Sequence, residues 1–212
     1  MPELLLVLAL LAALAVIAAL QVQRAGKQAV EIKCAHRLRQ IGVLFHGYVS
    51  EQPNRVVRLF QEGTTTQAKK WYDLLQAYAS LSDERARECF GCPALPADEV
   101  TNWKCYGFRV GGPPGEVLKG GGKIYQLTIP AVENPSKVLL AADTYSLRDF
   151  TQIFRIVPPK LYNSHAGIHL RHSDRANVLF LDGHVRALTR SDLHEVGIDE
   201  ALDRHGALVE TR

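Results

Sequence analysis

The stretch LLLVLALLAALAVIAAL, residues 4–20, decides how the rest of the chain is read. It runs for 17 residues with no charged or polar side chain, and one acid, Glu3, stands directly before it. Leu and Ala cover every face of a helix built from it, unlike the one-sided stripe of a helix lying on a soluble core. At a rise of about 1.5 Å per residue the run reaches about 26 Å, just short of a ~30 Å hydrocarbon core. Pro2 on one side and Gln21 to Gln23 on the other suit the two interfaces. No Lys or Arg stands before the run and no small-x-small site precedes Gln21, which argues against a secretory signal peptide. The reading is a single membrane span.

The helix is expected to continue well past the span. Ile32, Ala35, Leu38, Ile41, Phe45 and Tyr48 recur at three- and four-residue spacing, the stripe of a helix lying on a core. Lys33, Arg37 and Arg39 fall off that stripe, Gly42 fits a close approach to a sheet or a gentle bend, and Pro53 ends the segment. The chain therefore divides into an anchor and spine helix over residues 1–50 and a globular head over residues 51–212.

Within the head, Trp71, Leu74, Leu75 and Tyr78 mark a short amphipathic helix. Residues 111–122 hold six glycines and two prolines, an exposed loop by composition. That loop does not align with a phosphate-binding G-x-x-x-x-G-K-[ST] pattern, so nucleotide binding is not expected. Lys137 to Ala142 reads as a central strand, and Phe150 to Val157 as a weaker one stopped at Pro158-Pro159. Asn177–Leu181 and His184–Leu188 flank Asp182-Gly183, the signal for a hairpin with a two-residue type I′ turn. Ser191 is placed to cap a closing helix that carries Leu193, Val196, Ala201 and Leu202 and ends at His205-Gly206. A long helix, a short helix and then antiparallel strands make an α+β plan.

Net charge is only +3, but it is unevenly spread: residues 24–70 hold nine Lys or Arg against three acids, and residues 189–212 hold three against six. The basic stretch lacks a recognition motif and interleaved aromatics, so it reads as a solvated face or membrane-proximal collar and no nucleic-acid partner is expected. Four cysteines, Cys34, Cys89, Cys92 and Cys105, allow two disulfides in an oxidising compartment or a zinc site built on Cys89-x2-Cys92 with Cys105. The missing second C-x2-C pair and the distant helical position of Cys34 favour disulfides.

Three pieces of the sequence resemble type IV pilin-like proteins, specifically type II secretion pseudopilin-like bacterial proteins with a C-terminal H-x9-D-G motif. Glu3 and the apolar run resemble the pilin helix, whose one acid precedes continuous apolar residues. The segment Cys34-Ala-His-Arg-Leu-Arg-Gln-Ile-Gly42 resembles the family's C-x-x-N-L-K-Q-I-G. His172 and Asp182-Gly183 stand nine residues apart, as in the motif. Lesser matches are Cys92-Pro93, Tyr106-Gly107 and Pro135 to Asp143. The family pattern also carries a basic leader ending in Gly, and counted back from Glu3 its first mature residue falls two positions before Met1.

The resemblance implies a pilin-like fold, the long N-terminal helix packed on a small antiparallel sheet. It implies a structural filament subunit rather than an enzyme, held in a bacterial inner membrane with its C-terminal domain in the periplasm. Its partners would be other pilin-like subunits, a prepilin peptidase and an assembly platform, with no cofactor. Glu3, costly in apolar surroundings, would seek a cation on a neighbouring helix. His172, Asp182 and Gly183 read as architecture, with Asp182 accepting local backbone N–H bonds at its turn and His172 bridging to that turn or the preceding loop. The competing reading of the histidines is a metal site drawn from His165, His169, His172, Asp182 and His184, although Asp182 and His184 are expected to diverge. Asp143 has no evident catalytic partner, and the alternatives to a filament subunit are a tethered metal-dependent hydrolase and a non-polymerising binding module.

Overall fold

A computed structural model describes residues 2–52, 56–61, 70–95, 105–111, 116–119 and 122–212. One helix, α1, runs unbroken from Pro2 to Ser50. The described side chains up to residue 29 are all exposed, and this segment is long and apolar enough to cross a bilayer. From Cys34 the same helix is one-sided. Cys34, Leu38, Ile41, Phe45 and Val49 are buried, at spacings of four and three residues. The expected stripe is thus rotated slightly, since Ile32 is 60% exposed and Ala35 and Tyr48 are half-buried. Gly42 is buried, and a β-carbon there would lie 3.0 Å from the Leu179 side chain, so close helix–sheet approach explains it. Pro53 lies outside the described residues, just beyond the helix end.

The head begins with β1 (Val56–Gln61), α2 (Trp71–Tyr78) and α3 (Asp83–Phe90). It continues with β2 (Gly107–Arg109), β3 (Glu116–Lys119), β4 (Gly122–Thr128), β5 (Leu139–Ala142) and β6 (Thr144–Ser146). Then come β7 (Arg155–Ile156), β8 (Ala166–Ile168), β9 (Ala176–Phe180), β10 (Val185–Leu188), α4 (Arg190–Glu195), β11 (Glu200–Leu202) and β12 (Leu208–Glu210). The main sheet has the order β10-β9-β5-β2-β7. It is mixed rather than purely antiparallel, because β7 runs parallel to β2. Smaller sheets are β1-β4-β3, β6-β8 and β11-β12.

Strand alternation divides the core into two layers. Leu179 of β9 packs with the α1 stripe, Trp71 and Phe108, whereas its neighbours Val178 and Phe180 face Leu193, Ile198 and Ala201. Trp71 fastens α2 to this core by stacking on Phe108, with ring centroids 4.1 Å apart, and by donating its Nε1–H to the Phe154 carbonyl at 2.9 Å. This is the ordinary way to bury an indole without stranding its polar edge.

Several expectations need correction. In the glycine-rich stretch 111–122, Glu116–Lys119 forms β3, and its register, Lys119 opposite Gly122, leaves a two-residue connection; residues 112–115 and 120–121 lie outside the described residues. The glycines flank a four-residue non-glycine core, a hairpin pattern. The Asp182-Gly183 hairpin forms, but as a three-residue loop. Phe180 accepts from the Gly183 N–H and donates to the His184 carbonyl, both at 2.9 Å, and only Gly183 has a positive φ, +93°. The extra residue is Leu181, whose N–H donates to the Val138 carbonyl just before β5 and whose side chain is buried, so it cannot be given up to a tighter turn. Of the expected 150–157 strand only β7 forms, and Phe150 at its start has a φ of +52°, outside the extended region. The closing helix is only α4, capped by Thr189 rather than Ser191, and Ala201 and Leu202 belong to the β11–β12 hairpin.

The two faces of α1 respond differently to truncation. Leu38→Ala should lower unfolding stability by about 2–5 kcal/mol, because Leu38 is fully buried. Val43→Ala, at a position 73% exposed, should change it by no more than about 0.5 kcal/mol. Urea unfolding of the detergent-solubilised chain, followed by fluorescence of buried Trp71, measures both; equal effects would contradict the packing.

Candidate functional site

A buried polar cluster lies where α1 meets the head. Cys34, Cys92, Asp143 and His172 each bring one side-chain donor atom within 4.8 Å of the others, and all four are buried. They come from four parts of the chain. Cys34 is the first buried position of the α1 stripe. Cys92 follows α3, held by the Arg37 Nη1–H donating to Gly91 O at 2.7 Å and by its own N–H donating to Gln152 Oε1 at 3.2 Å. Asp143 directly follows β5, and its backbone N–H donates to Asn177 O at 3.1 Å. The Asn177 N–H in turn donates to Asp143 Oδ2 at 2.9 Å, so the β5–β9 ladder fixes the carboxylate and leaves Oδ1 facing Cys34.

His172 is presented by a tight turn. Its N–H and carbonyl exchange hydrogen bonds with Arg175, both at 3.0 Å, and the two residues between, Ser173 and Asp174, have φ of +52° and +60°. Positive φ at both central positions is the type I′ signature, found here rather than at Asp182-Gly183. The turn leads directly into β9.

The Cys34 thiol donates to Asp143 Oδ1 at 3.2 Å. Cys92 Sγ and Asp143 Oδ2 both stand 3.4 Å from the same ring nitrogen, His172 Nε2. The Tyr106 hydroxyl lies 3.2 Å from Cys34 Sγ and 3.3 Å from its carbonyl. Arg171 donates Nη2–H to Thr144 O, and its enclosed Nε and Nη1 have no hydrogen-bond partner among the described residues.

Burial and charge pull these groups in opposite directions. Desolvation alone would raise Cys92, but hydrogen bonds from Cys34 and His172 and the Arg171 charge bring it down to about 6. Burial alone would lower His172, yet its bonds to Asp143 and Cys92 lift it to about 10. Asp143 is held below the usual carboxylate range: its burial is outweighed by His172, Arg171 and the Asn177 N–H. Cys34, desolvated and facing Cys92 and Asp143, is pushed well up. The cluster thus concentrates two thiols, one carboxylate and one imidazole around one point, with a buried cation beside it.

The cysteine expectations change accordingly. All four cysteines are free thiols, so no disulfide joins them here. Cys92 is drawn toward Cys34 rather than into a group with Cys89 and Cys105; Cys89 is only half-buried, and burial pushes the Cys105 thiol well up. Of the five histidine-cluster candidates, only Asp182 and His184 meet, and they converge rather than diverge, His184 Nδ1 lying 2.6 Å from Asp182 Oδ1. Stacking of the His184 ring on Phe180, centroids 4.3 Å apart, turns it back over the loop. Asp182 also accepts the His184 N–H at 3.1 Å, the local backbone role expected of it. His165 Nδ1 lies 2.8 Å from the Asn163 carbonyl. His169 stacks on Tyr145, and burial with the Arg171 charge lowers it to about 3, so it is neutral. His172 bridges to Asp143 and Cys92, not to the Asp182 turn, and Asp143 therefore has close partners after all. Glu3 is exposed in the first turn of α1.

Comparison with family models, curated proteins and solved structures finds no match for this chain.

The paired shifts of Cys92 and His172 make a pH prediction. His172, raised, contributes stability that is complete below pH 6.5 and is lost toward pH 10; Cys92, lowered, contributes stability complete above pH 9 and lost as pH falls toward 6. Between about pH 6.5 and 9 the two slopes oppose each other, so unfolding stability should be nearly level with chelator and reductant present. In Cys92→Ser the rising limb disappears, and stability should fall above pH 6.5 by up to about 1.4 kcal/mol per pH unit. Urea midpoints measured across that window check it; a flat profile in Cys92→Ser would contradict the assignment.

Proposed function

We propose that this chain is a membrane-anchored structural subunit of a pilin-like filament, of the kind used in type II secretion pseudopili or type IV pili. The single observation that carries the reading is α1: one continuous helix, exposed and apolar all round in its first part and buried on one face from Cys34 onward. A helix in water does not keep a run of bare Leu, Val and Ile side chains; lipid or neighbouring helices must cover them. The resemblance of Glu3 with its apolar run, the Cys34 segment and the H-x9-D-G hairpin to pseudopilin-like proteins points to neighbouring copies as well as lipid.

In this reading residues 4–20 hold the subunit in the inner membrane before assembly and bundle with other subunits in the filament. The head stands in the periplasm. Glu3 sits at the apolar boundary, where an unpaired carboxylate is costly, so it pairs with a cation on an adjacent helix and sets the stagger between subunits. The buried Cys34 end of the spine fixes how the head is carried on the stalk.

A nucleophilic enzyme built on Cys92, His172 and Asp143 fits less well. A relay needs the carboxylate on one imidazole nitrogen and the thiol on the other, as in Cys-His-Asn sites. Here both stand at Nε2, and Cys92 is 1% exposed.

Cysteine crosslinking in native membranes tests the proposal. A cysteine introduced at Ala12 should give crosslinked dimers and higher ladders between chains. Glu3→Gln should reduce the ladders severalfold while the head keeps its folded circular dichroism. Absence of crosslinks in Ala12→Cys membranes with Glu3 intact, or ladders unchanged when Glu3→Gln is added, would contradict it.

A further inference from the structure

We infer that Cys34, Cys92, Asp143 and His172 form a structural site for a thiophilic divalent cation of the zinc class, which staples the spine helix to the head. The inference does not depend on filament assembly. Three observations carry it: the shape of the donor set, its chemistry and its surroundings.

The shape comes first. Bond lengths of about 2.0–2.3 Å at tetrahedral angles separate neighbouring donor atoms by about 3.3–3.8 Å. The cluster shows 3.2 Å between Cys34 Sγ and Asp143 Oδ1, 3.4 Å between Cys92 Sγ and His172 Nε2, and 3.4 Å between His172 Nε2 and Asp143 Oδ2. Three contacts thus have about the length of tetrahedral edges, two of them to opposite oxygens of Asp143, and one donor atom from each residue lies within 4.8 Å of the others, so a small inward shift seats one ion between them. The double approach to His172 Nε2 fits the same picture. One ring nitrogen can share a single proton with one good partner, but a cation in place of that proton serves the thiolate, the carboxylate and the imidazole together.

The chemistry narrows the ion. Two thiolates and an imidazole select zinc and related transition metals over calcium or magnesium, which want more oxygen ligands. Four protein ligands leave no open position, the pattern of a structural rather than a catalytic centre.

The surroundings supply outer-shell groups of the expected kinds. The Tyr106 hydroxyl is placed to donate to Cys34 Sγ, and the Asn177 N–H donates to Asp143 Oδ2, orienting two ligands. Two thiolates and a carboxylate around a doubly charged cation leave one negative charge in excess. The buried, incompletely bonded Arg171 guanidinium neutralises it. His172 borders one surface groove, with Lys27, Glu31 and Arg204, and Cys92 borders another beside Arg37, so the buried cluster lies next to the surface.

The mechanical result follows from where the ligands come from. Cys34 lies on α1, Cys92 behind α3, Asp143 directly after β5 and His172 in the turn before β9. One ion therefore ties the spine to three parts of the head, and bound thiolates are withheld from oxidation in an oxidising compartment.

The test uses the full chain purified in detergent under reducing conditions. Elemental analysis should find about one zinc per chain, and replacement by cobalt(II) should give thiolate-to-cobalt charge-transfer absorption with intense tetrahedral d–d bands. Cys92→Ser should lose the zinc and those bands, whereas Cys89→Ser should keep both. Tyr106→Phe, should it leave the fold intact, is expected to weaken zinc about 10–100-fold in competition with a chromophoric chelator. Because Cys92→Ser could unfold, the wild-type titration decides independently. Failure of the reduced wild-type chain to bind zinc or cobalt, equal zinc in Cys92→Ser and wild type, or a Cys34–Cys92 disulfide in metal-free protein from native membranes would each overturn the site.

Discussion

One helix has to satisfy two surroundings, and the rest of the structure depends on how α1 does so. Over residues 4–20 its side chains are apolar on all sides, so no face is reserved for a protein core. From Cys34 to Val49 the apolar side chains narrow to a stripe that packs against Leu179, Phe108 and Trp71. No break separates the two regimes. The exposed apolar half and the half packed on the head thus belong to one continuous helix about 73 Å long. Gly42 lets that helix approach β9 closely, which brings Cys34 to the layer that Asp143 and His172 occupy.

The polar cluster at this junction is the exception inside an otherwise apolar contact. Burying a carboxylate, an imidazole and two thiols beside an arginine costs far more than burying leucines, unless each group finds a partner. The four groups meet that demand through one another and through Tyr106 and Asn177, while Arg171 Nε and Nη1 have no hydrogen-bond partner among the described residues. Such an arrangement is a poor way to gain bulk stability and a good way to fix one orientation between elements. Here the elements so fixed are α1, the segment after α3, and the ends of β5 and β9.

Much of this architecture was legible in the sequence, for physical reasons. The long helix, α2, β5 and the β9–β10 hairpin announce themselves because apolar periodicity and Asp-Gly chemistry are local signals. What was missed depends on contacts between distant residues. Leu181 converts a two-residue turn into a three-residue loop because Val138, distant in sequence and just before β5, takes its N–H. The parallel placement of β7 beside β2 and the splitting of the closing segment into α4 and the β11–β12 hairpin also follow from packing. The site was half visible: Cys34, Cys92, Asp143 and His172 each stood in a segment singled out in the sequence, yet 109 residues separate Cys34 from Asp143 and nothing in spacing joins them. A usable signal was present, since Cys34 occupies a core position of its helix and Asp143 directly follows a wholly apolar strand. Polar groups in buried registers need company, and here they supply it to each other.

The account stands most directly on where the two halves of α1 reside. Nitroxide labels placed singly at Leu11 and at Val43, in chain reconstituted into lipid bilayers, report accessibility to oxygen and to a water-soluble nickel chelate. Leu11 should show high oxygen and negligible nickel collision, and Val43 the reverse. Comparable nickel accessibility at both positions would contradict a lipid-embedded stalk continuous with the spine of the head.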